Sequence, residues 1–537
     1  MSTPSSTIKI CSGVRLSNDY IHTIYFDSLS KQRQYFESKV VKTFSHYTYL
    51  RKSWEINVDA TLEQARQWGY LFFTNPDTLK TYYYFITNIE YVNDSTVKLT
   101  IEMDVMQTYM FNVDGSEGYT LNRCFVEREH SSSDGIGDNT VEETLNVGDL
   151  RVVNGENVDL NDLCVLILST YNPLTTNETN TDTVLAARYN GVFSGLGVYA
   201  ISMSDWDAWG TKLKLLDKAG KSDGIISMWM YPKALVTLED GETWENSAVC
   251  KRVRQATTIT KAMSINTQTA GGYTPKNKKL LTYPYNFLYI TNNNGGASVF
   301  KYERFGDPSH CNFNIVGSLS PEGAIKMYPL NYNGYQHNYD EGMTLSGFPT
   351  CAWNQDVYKL WLAQNQNQHN LSMMTSALTL TAGIGVMAVG GVTANVPTLM
   401  GGFATASHGA SSIASHVAQK KDMAIQPPQA KGQHSANVNV VAGFQTFTIQ
   451  RKSITEEYAR IIDDYFTMYG YQTNRVKTPS RNVRENFTYT KTVNCHVTGN
   501  LCTDDLLKIQ SIYDNGITFW VNGDSIGDYS LSNLPKG

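Results

Sequence analysis

Asp134, Asp138 and Asn139 stand around Gly135 and Gly137 in a loop-like stretch, residues 131–139. Hard oxygen ligands on a flexible turn suit calcium, but the spacing is not that of an EF-hand, and an Asx-rich turn accounts for the same residues. Soft ligands stand side by side at His310-Cys311 and at Cys495-His496. Adjacent residues on a strand point to opposite faces, which keeps such a pair from sharing one metal. Glu456-Glu457 and Asp463-Asp464 are paired carboxylates on a predicted helix. The simplest reading turns them to solvent and gives no case for glycosidase chemistry. No HExxH, Walker A loop or GxSxG occurs. The nearest dinucleotide-like string, Gly195-Leu196-Gly197-Val198-Tyr199-Ala200, runs into a strand-like segment rather than a helix, so its phosphate-cradling geometry fails. The residues argue for no enzyme and imply no cofactor and no metal.

The strongest anomaly is an absence of charge. No Asp, Glu, Lys or Arg occurs from Leu360 to Gln419, 60 positions in a chain that is 18% charged. Residues 371–414 hold seven Gly, eight Ala and four Met. The apolar members of this insert are Leu371, Met373, Met374, Leu378, Leu380, Ile384, Val386, Met387, Val389, Val392, Val396, Leu399, Met400, Phe403 and Ile413. Gly383, Gly385, Gly390, Gly391, Pro397, Gly401 and Gly402 supply its flexibility. Ala377–Met400 is long enough to cross a bilayer, though Gly390-Gly391 and Pro397 weaken a single straight helix. Its small residues permit close packing between neighbouring segments.

A core helix of this length should carry charge on a solvent face at period 3.6, and a disordered loop should be polar. The insert does neither. It reads as a segment that enters membranes conditionally, or as a plug buried inside an assembly; the two can be one element in two states. A permanent anchor fits less well, because the flanks are amide-rich rather than aromatic belts with asymmetric basic residues. His369, His408 and His416 lie in or beside it and would gain charge at low pH.

The elements around the insert are β-rich. A net charge of −6 gives no basic character for general nucleic-acid adhesion. The 33 Tyr, with many Thr, Asn and Val, favour strands. The eight cysteines, Cys11, Cys124, Cys164, Cys250, Cys311, Cys351, Cys495 and Cys502, are scattered and read as free thiols in a reducing cytoplasm. The first twenty residues contain no apolar signal-peptide core. Val97–Val105 alternates apolar and polar, Tyr82–Val92 is aromatic and β-branched, and Asn93-Asp94-Ser95 between them is turn chemistry, so the pair predicts a hairpin. Thr61 and Gln64 stand in capping-box positions. Val165–Ser169 and Val198–Met203 predict buried strands, and residues 353–370 a helix. Ser453-Ile454-Thr455-Glu456 predicts a capping box opening a helix that Gly470 stops, with Tyr458, Ile461, Ile462, Tyr465 and Phe466 on one face. Thr503 is expected to cap a second helix ending at Gly516, followed by the strand Ile517–Val521.

Several strings occur together: Tyr84–Tyr91, Met103-Asp104-Val105-Met106-Gln107-Thr108-Tyr109, Phe125-Val126-Glu127-Arg128-Glu129-His130 with Asp134, Tyr469-Gly470-Tyr471, and Gly516-Ile517-Thr518-Phe519-Trp520. In this order they resemble the distal tail tube, or tail knob, proteins of Picovirinae-type short-tailed bacteriophages. The resemblance covers both ends of the chain, and the insert falls where that family carries its long hydrophobic loop. It implies a β-rich α+β multidomain fold, with tail-tube-like barrel or sandwich domains and an inserted hydrophobic loop. It implies tube domains at the two ends, a β-domain over 1–125 and an α+β domain over 441–537; between them composition and pattern mark an inserted mixed domain over 126–260, an irregular β-region of the distal knob over 261–352, and a helix plus long uncharged membrane-active loop over 353–440 (the loop about 370–418). It implies a homohexamer in the virion tail, assembled in the host bacterial cytoplasm. The implied partners are proximal tail or upper-collar proteins, host membrane lipids, and double-stranded DNA passing without sequence specificity. A stand-alone pore-forming toxin and a receptor- or glycan-binding tail protein are the competing readings.

Overall fold

The computed structural model describes residues 6–50, 54–133, 141–173, 188–189, 192–193, 195–221, 224–293, 295–321, 323–333, 342–345, 348, 350–352 and 445–536. The chain divides into two units, each assembled from distant segments. One holds 1–149, 272–284 and 455–537, the other 150–271 and 285–454.

The first unit is built on an antiparallel sheet of seven strands. In order they are Val40–Phe44, Ile8–Cys11, Tyr70–Thr74, Thr81–Asn93, Thr96–Met103, Glu55–Asp59 and Thr48–Leu50. The two outermost strands are joined by residues 45–47 alone, so the sheet curls back toward itself. Its concave interior is filled by Ile8, Ile10, Phe44, Ile56, Leu71, Val97 and Leu99 among others. The predicted hairpin is there: Asn93 pairs with Thr96, and the Ser95 N–H donates to Asn93 Oδ1 at 2.9 Å. The Thr61 capping box is also present, with both of its reciprocal bonds.

A second sheet of five strands lies in the same unit. Its order is His22–Ile24, Ile517–Trp520, Phe487–Val493, Cys124–Glu129, Tyr471–Lys477. His22–Ile24 pairs with Ile517–Trp520 in parallel, so segments from the two ends of the chain share one ladder. The helix Leu29–Ser38 contributes Phe36 to a largely aromatic core with Tyr70, Tyr83, Phe487, Tyr513, Phe519 and Trp520. Complete burial of each such ring stabilises the unit by roughly 1.5–3 kcal/mol.

The second unit contains a six-stranded sheet with a hydrophobic heart. Leu163–Ser169 and Gly197–Ser202 are buried at every position, which explains their uninterrupted apolar sequences. The helix Trp206–Lys218 packs Trp209, Leu213 and Leu216 on one face. A four-stranded sheet, Leu150–Asp159, Thr446–Ile454, Asn286–Thr291 and Ala297–Phe300, shares the larger core with a further sheet that includes Cys311–Gly317 and Ile325–Pro329. The β-rich, multidomain character expected from sequence is present.

Two expectations need correction. Ser453 is no cap: it is a fully buried residue of the strand Thr446–Ile454, which runs directly into the helix Glu456–Tyr469. Thr455 is the N-cap and makes no side-chain capping bond. The second helix starts at Thr503, so Cys502 rather than Thr503 is its cap residue.

Candidate functional site

The apolar residues of the insert, Leu371 to Ile413, and its glycines and Pro397 all lie outside the described residues, as do His369, His408 and His416 and the predicted helix over 353–370. What the structure places is the pair of strands on either side. Thr350–Ala352 is an edge strand of the six-stranded sheet, paired with Ser227–Trp229. Thr446–Ile454 is an inner strand of the four-stranded sheet, hydrogen-bonded on both sides. Both belong to the second unit, so the insert is spliced between two strands that its own ladders hold. Among the described residues no helix is long and apolar enough to cross a membrane.

The strings singled out in the sequence meet in the first unit, and each has a physical task. Asp104 caps the short helix Val105–Thr108, its Oδ1 accepting from the Met106 and Gln107 N–H groups at 3.1 Å. Its other oxygen accepts from the Tyr70 hydroxyl at 2.9 Å. Burial pushes this carboxyl up to about 6, against the lowering effect of those hydrogen bonds. Gln107 is buried and donates to the Ile24 carbonyl and Thr23 hydroxyl, while Gln32 donates to it. Tyr109 reaches Asp505 at 2.6 Å. One seven-residue string therefore ties strands, helices and both ends of the chain together.

Phe125–His130 does the same for the five-stranded sheet. Arg128 donates twice to Glu143 Oε2, at 2.9 Å each, and once to the Gly470 carbonyl, with its guanidinium over the Tyr465 ring. Glu129 is buried and paired with Lys477, and Glu127 pairs with Lys491. His130 accepts the Tyr489 N–H at Nδ1, which leaves Nε2 to donate to the Thr467 carbonyl at 2.9 Å. Burial and the nearby Arg484 hold this imidazole down at about 3, so it is neutral and purely structural at physiological pH.

Gly470 of Tyr469-Gly470-Tyr471 lies against this segment. Its φ is 59° and its ψ −152°, a region open essentially to glycine alone. A Cβ there would stand 2.3 Å from the Glu129 carbonyl carbon and 2.5 Å from the His130 nitrogen. The helix can end against that backbone only because no side chain intervenes.

The carboxylate pair Asp463-Asp464 divides. Asp464 is exposed, but Asp463 is fully buried, contrary to the solvent-facing expectation. Asp463 accepts from the Tyr273 hydroxyl and Lys276 N–H at 2.7 Å, and from the Asn277 backbone and side chain at 3.0 and 2.7 Å. It is a structural anchor for residues 272–284, a segment nearly two hundred positions upstream. The predicted apolar face of the same helix is also redistributed. Ala459, Ile462 and Phe466 face the core, whereas Ile461 is 62% and Tyr458 40% exposed.

The candidate ligands do not converge. His310 pairs with Asp307, and His496 with Asn122. Among the described residues no group of three His, Cys, Asp or Glu is placed to hold a metal. Asp134, Asp138 and Asn139 lie outside the described residues. Seven cysteines are described, all as free thiols.

Residues 250–534 match the family described as the C-terminal domain of tail knob protein gp9 of Bacillus phage phi29. The chain belongs to the tail knob protein family. Residues 4–114 match the caudoviral major tail protein N-terminus. Tail knob proteins gp9 of Bacillus phages B103, PZA and phi29 are 26%, 27% and 26% identical to it, each alignment covering 98% of both chains. The solved structure of bacteriophage C1 tail knob protein gp12 superposes with a TM-score of 0.63 over 99% of this chain and 100% of that one. At 16% identity that likeness speaks for the fold alone. The chain is thus a structural protein of a phage tail.

Proposed function

We propose that copies of this chain form a hexameric distal tail tube that conducts double-stranded DNA, and that the uncharged insert plugs its exit and then enters the host membrane as a pore. One observation carries the reading. In a tail knob chain, the 60-residue charge gap is bounded by two strands of one folded unit, so it can change state without dismantling either ladder. Apolar surface left in water costs about 25 cal/mol per Å². Copies packed around an exit remove that surface from water, and a bilayer removes it equally, giving one sequence two packings of similar energy. A chain of net charge −6 offers no general neutralisation of phosphates, so a duplex can pass without adhesion. On this reading the first unit serves assembly with other tail proteins and the second carries the membrane-active segment.

Deleting Ala377–Phe403 from the full chain tests it. The deletion should leave assembly intact and abolish dye release from liposomes. Persistent leakage would show that the insert is not the pore former. Dye release measured from pH 4 to 8 reports separately on the three histidines, and a flat profile removes them as a trigger.

A further inference from the structure

One register runs through two short ladders of the first unit. Leu121 pairs with Val497 and Phe125 with Val493, and between them the Asn122 N–H donates to the His496 carbonyl at 2.9 Å. Cys124 therefore stands opposite Asn494, and Cys495 is one position further along. Positions offset by one residue across neighbouring strands have Cα atoms roughly 6 Å apart, inside the range of about 4.4–6.8 Å that a disulfide bridges. In a regular ladder such neighbours point to opposite faces. Here Asn494 has a φ of 53°, outside the extended region, and Val493 and Asn494 are both exposed. The inward place passes to Cys495.

Both cysteines are buried in the aromatic core that holds Phe487, Tyr513 and Trp520. They lie close enough for the Cys495 thiol to donate toward Cys124. Cys11, Cys164 and Cys311 instead donate to the carbonyls of Phe36, Tyr231 and Pro308, and Cys502 donates to the Asp505 carboxylate. Burial raises both thiols of the pair, Cys495 to about 12, so thiolate is scarce and oxidation slow. A phage tail protein is made inside a cell, where thiols stay reduced, and acts outside it, where disulfides persist.

We propose that Cys124 and Cys495 join in a disulfide after the particle leaves the reducing cytoplasm. The oxidant is a small-molecule disulfide. The Cys124 thiolate attacks one of its sulfurs, forming a mixed disulfide and expelling one small thiolate. The Cys495 thiolate then attacks the Cys124 sulfur, closing the protein disulfide and expelling the second. Two electrons pass from the protein to the small disulfide, and the two protons released end on the two small thiols. The bond closes the chain from 124 to 495, an excursion that includes every residue of the second unit. In the chain-entropy account, a loop that long gives a disulfide its largest effect on the unfolded chain. Slow oxidation keeps the first unit unlinked during assembly and lets the link accumulate in the finished particle.

The test uses the full chain, purified reduced, incubated with excess oxidised glutathione and quenched with N-ethylmaleimide. Peptide mapping should find Cys124 joined to Cys495, the linked pair lighter by two hydrogens than its parts. The melting temperature should rise by roughly 4–16 °C and fall back with dithiothreitol. Cys124→Ala and Cys495→Ala should each lose the rise, and Cys502→Ala, which removes an exposed thiol, should keep it. Released particles alkylated at once should carry the link, whereas chain alkylated inside intact cells should not. If both cysteines of the oxidised chain are recovered alkylated, or the link forms without raising the melting temperature, the proposal is wrong. A link already complete inside the cells overturns its timing. If the alanine variants fail to fold, the peptide map of the wild-type chain decides alone.

Discussion

Replacing Gly470 by alanine isolates the closure between the helix Glu456–Tyr469 and the Phe125–His130 strand. Two costs add. Holding a non-glycine residue at this backbone conformation costs about 1–3 kcal/mol. The new methyl also meets backbone atoms of Glu129 and His130 at 2.3–2.5 Å, and backbone cannot swing aside as a side chain would. Overpacking of that kind costs about 1–3 kcal/mol. Together they predict a loss near 4 kcal/mol. In a unit of this size each kcal/mol moves the melting temperature by roughly 2–4 °C, so the shift is on the order of 8–16 °C. Gly527→Ala is the control. Gly527 also has positive φ, at 87°, but nothing lies within 4 Å of its added Cβ. It should lose only about 1 kcal/mol from the backbone. Scanning calorimetry of the two full-length variants measures the difference. If Gly470→Ala melts within about a degree of Gly527→Ala, the close approach carries no weight and the packing assigned to Tyr469-Gly470-Tyr471 is mistaken.

Asp104 makes stability depend on pH. Its carboxyl is raised from 3.8 to about 6, so folding favours the protonated form. That contribution is complete below about pH 4, declines through pH 6 and is absent above, a swing of about 3 kcal/mol. Chemical denaturation of wild type and Asp104→Asn at pH 4 and 7 should show the variant gaining relative to wild type as pH rises; parallel profiles would refute the assignment. Asp463→Asn places a donor against the Lys276 N–H and should cost about 2–4 kcal/mol, read as faster tryptic cleavage within residues 272–284. Glu143→Gln leaves the buried Arg128 charge without its carboxylate and should cost about 3–5 kcal/mol, against near neutrality for Arg460→Gln, whose partner Glu456 shares an exposed surface.

Local grammar was readable in the sequence, and long-range partners were not. The hairpin at Asn93–Ser95, the Thr61 capping box and the buried strands around Val165 and Val198 rest on neighbours a few residues apart. Ser453 misled because its spacing to Glu456 is that of a capping box, while the strand continues to Ile454 and the cap position falls on Thr455. Asp463 misled because adjacent helical residues point about 100° apart, so one of a carboxylate pair can be buried while the other is wet. What buries it, Tyr273–Asn277, arrives from another region of the chain. Likewise no periodicity announces that Cys124–Glu129 lies between Phe487–Val493 and Tyr471–Lys477. The insert was legible by what it lacks, and the structure adds the two strands that bound it.

The parallel pairing of His22–Ile24 with Ile517–Trp520 sets a schedule for synthesis. A ribosome adding about 5–20 residues per second needs roughly 25–100 s to pass from one strand to the other. The second unit spans residues 150–454 apart from one short excursion, so it is complete while the first still awaits its last sheet. A prematurely terminated chain therefore keeps the uncharged insert but lacks a finished first unit. Under the assembly role proposed for the first unit, such a product carries its defect where incorporation into the particle would reject it.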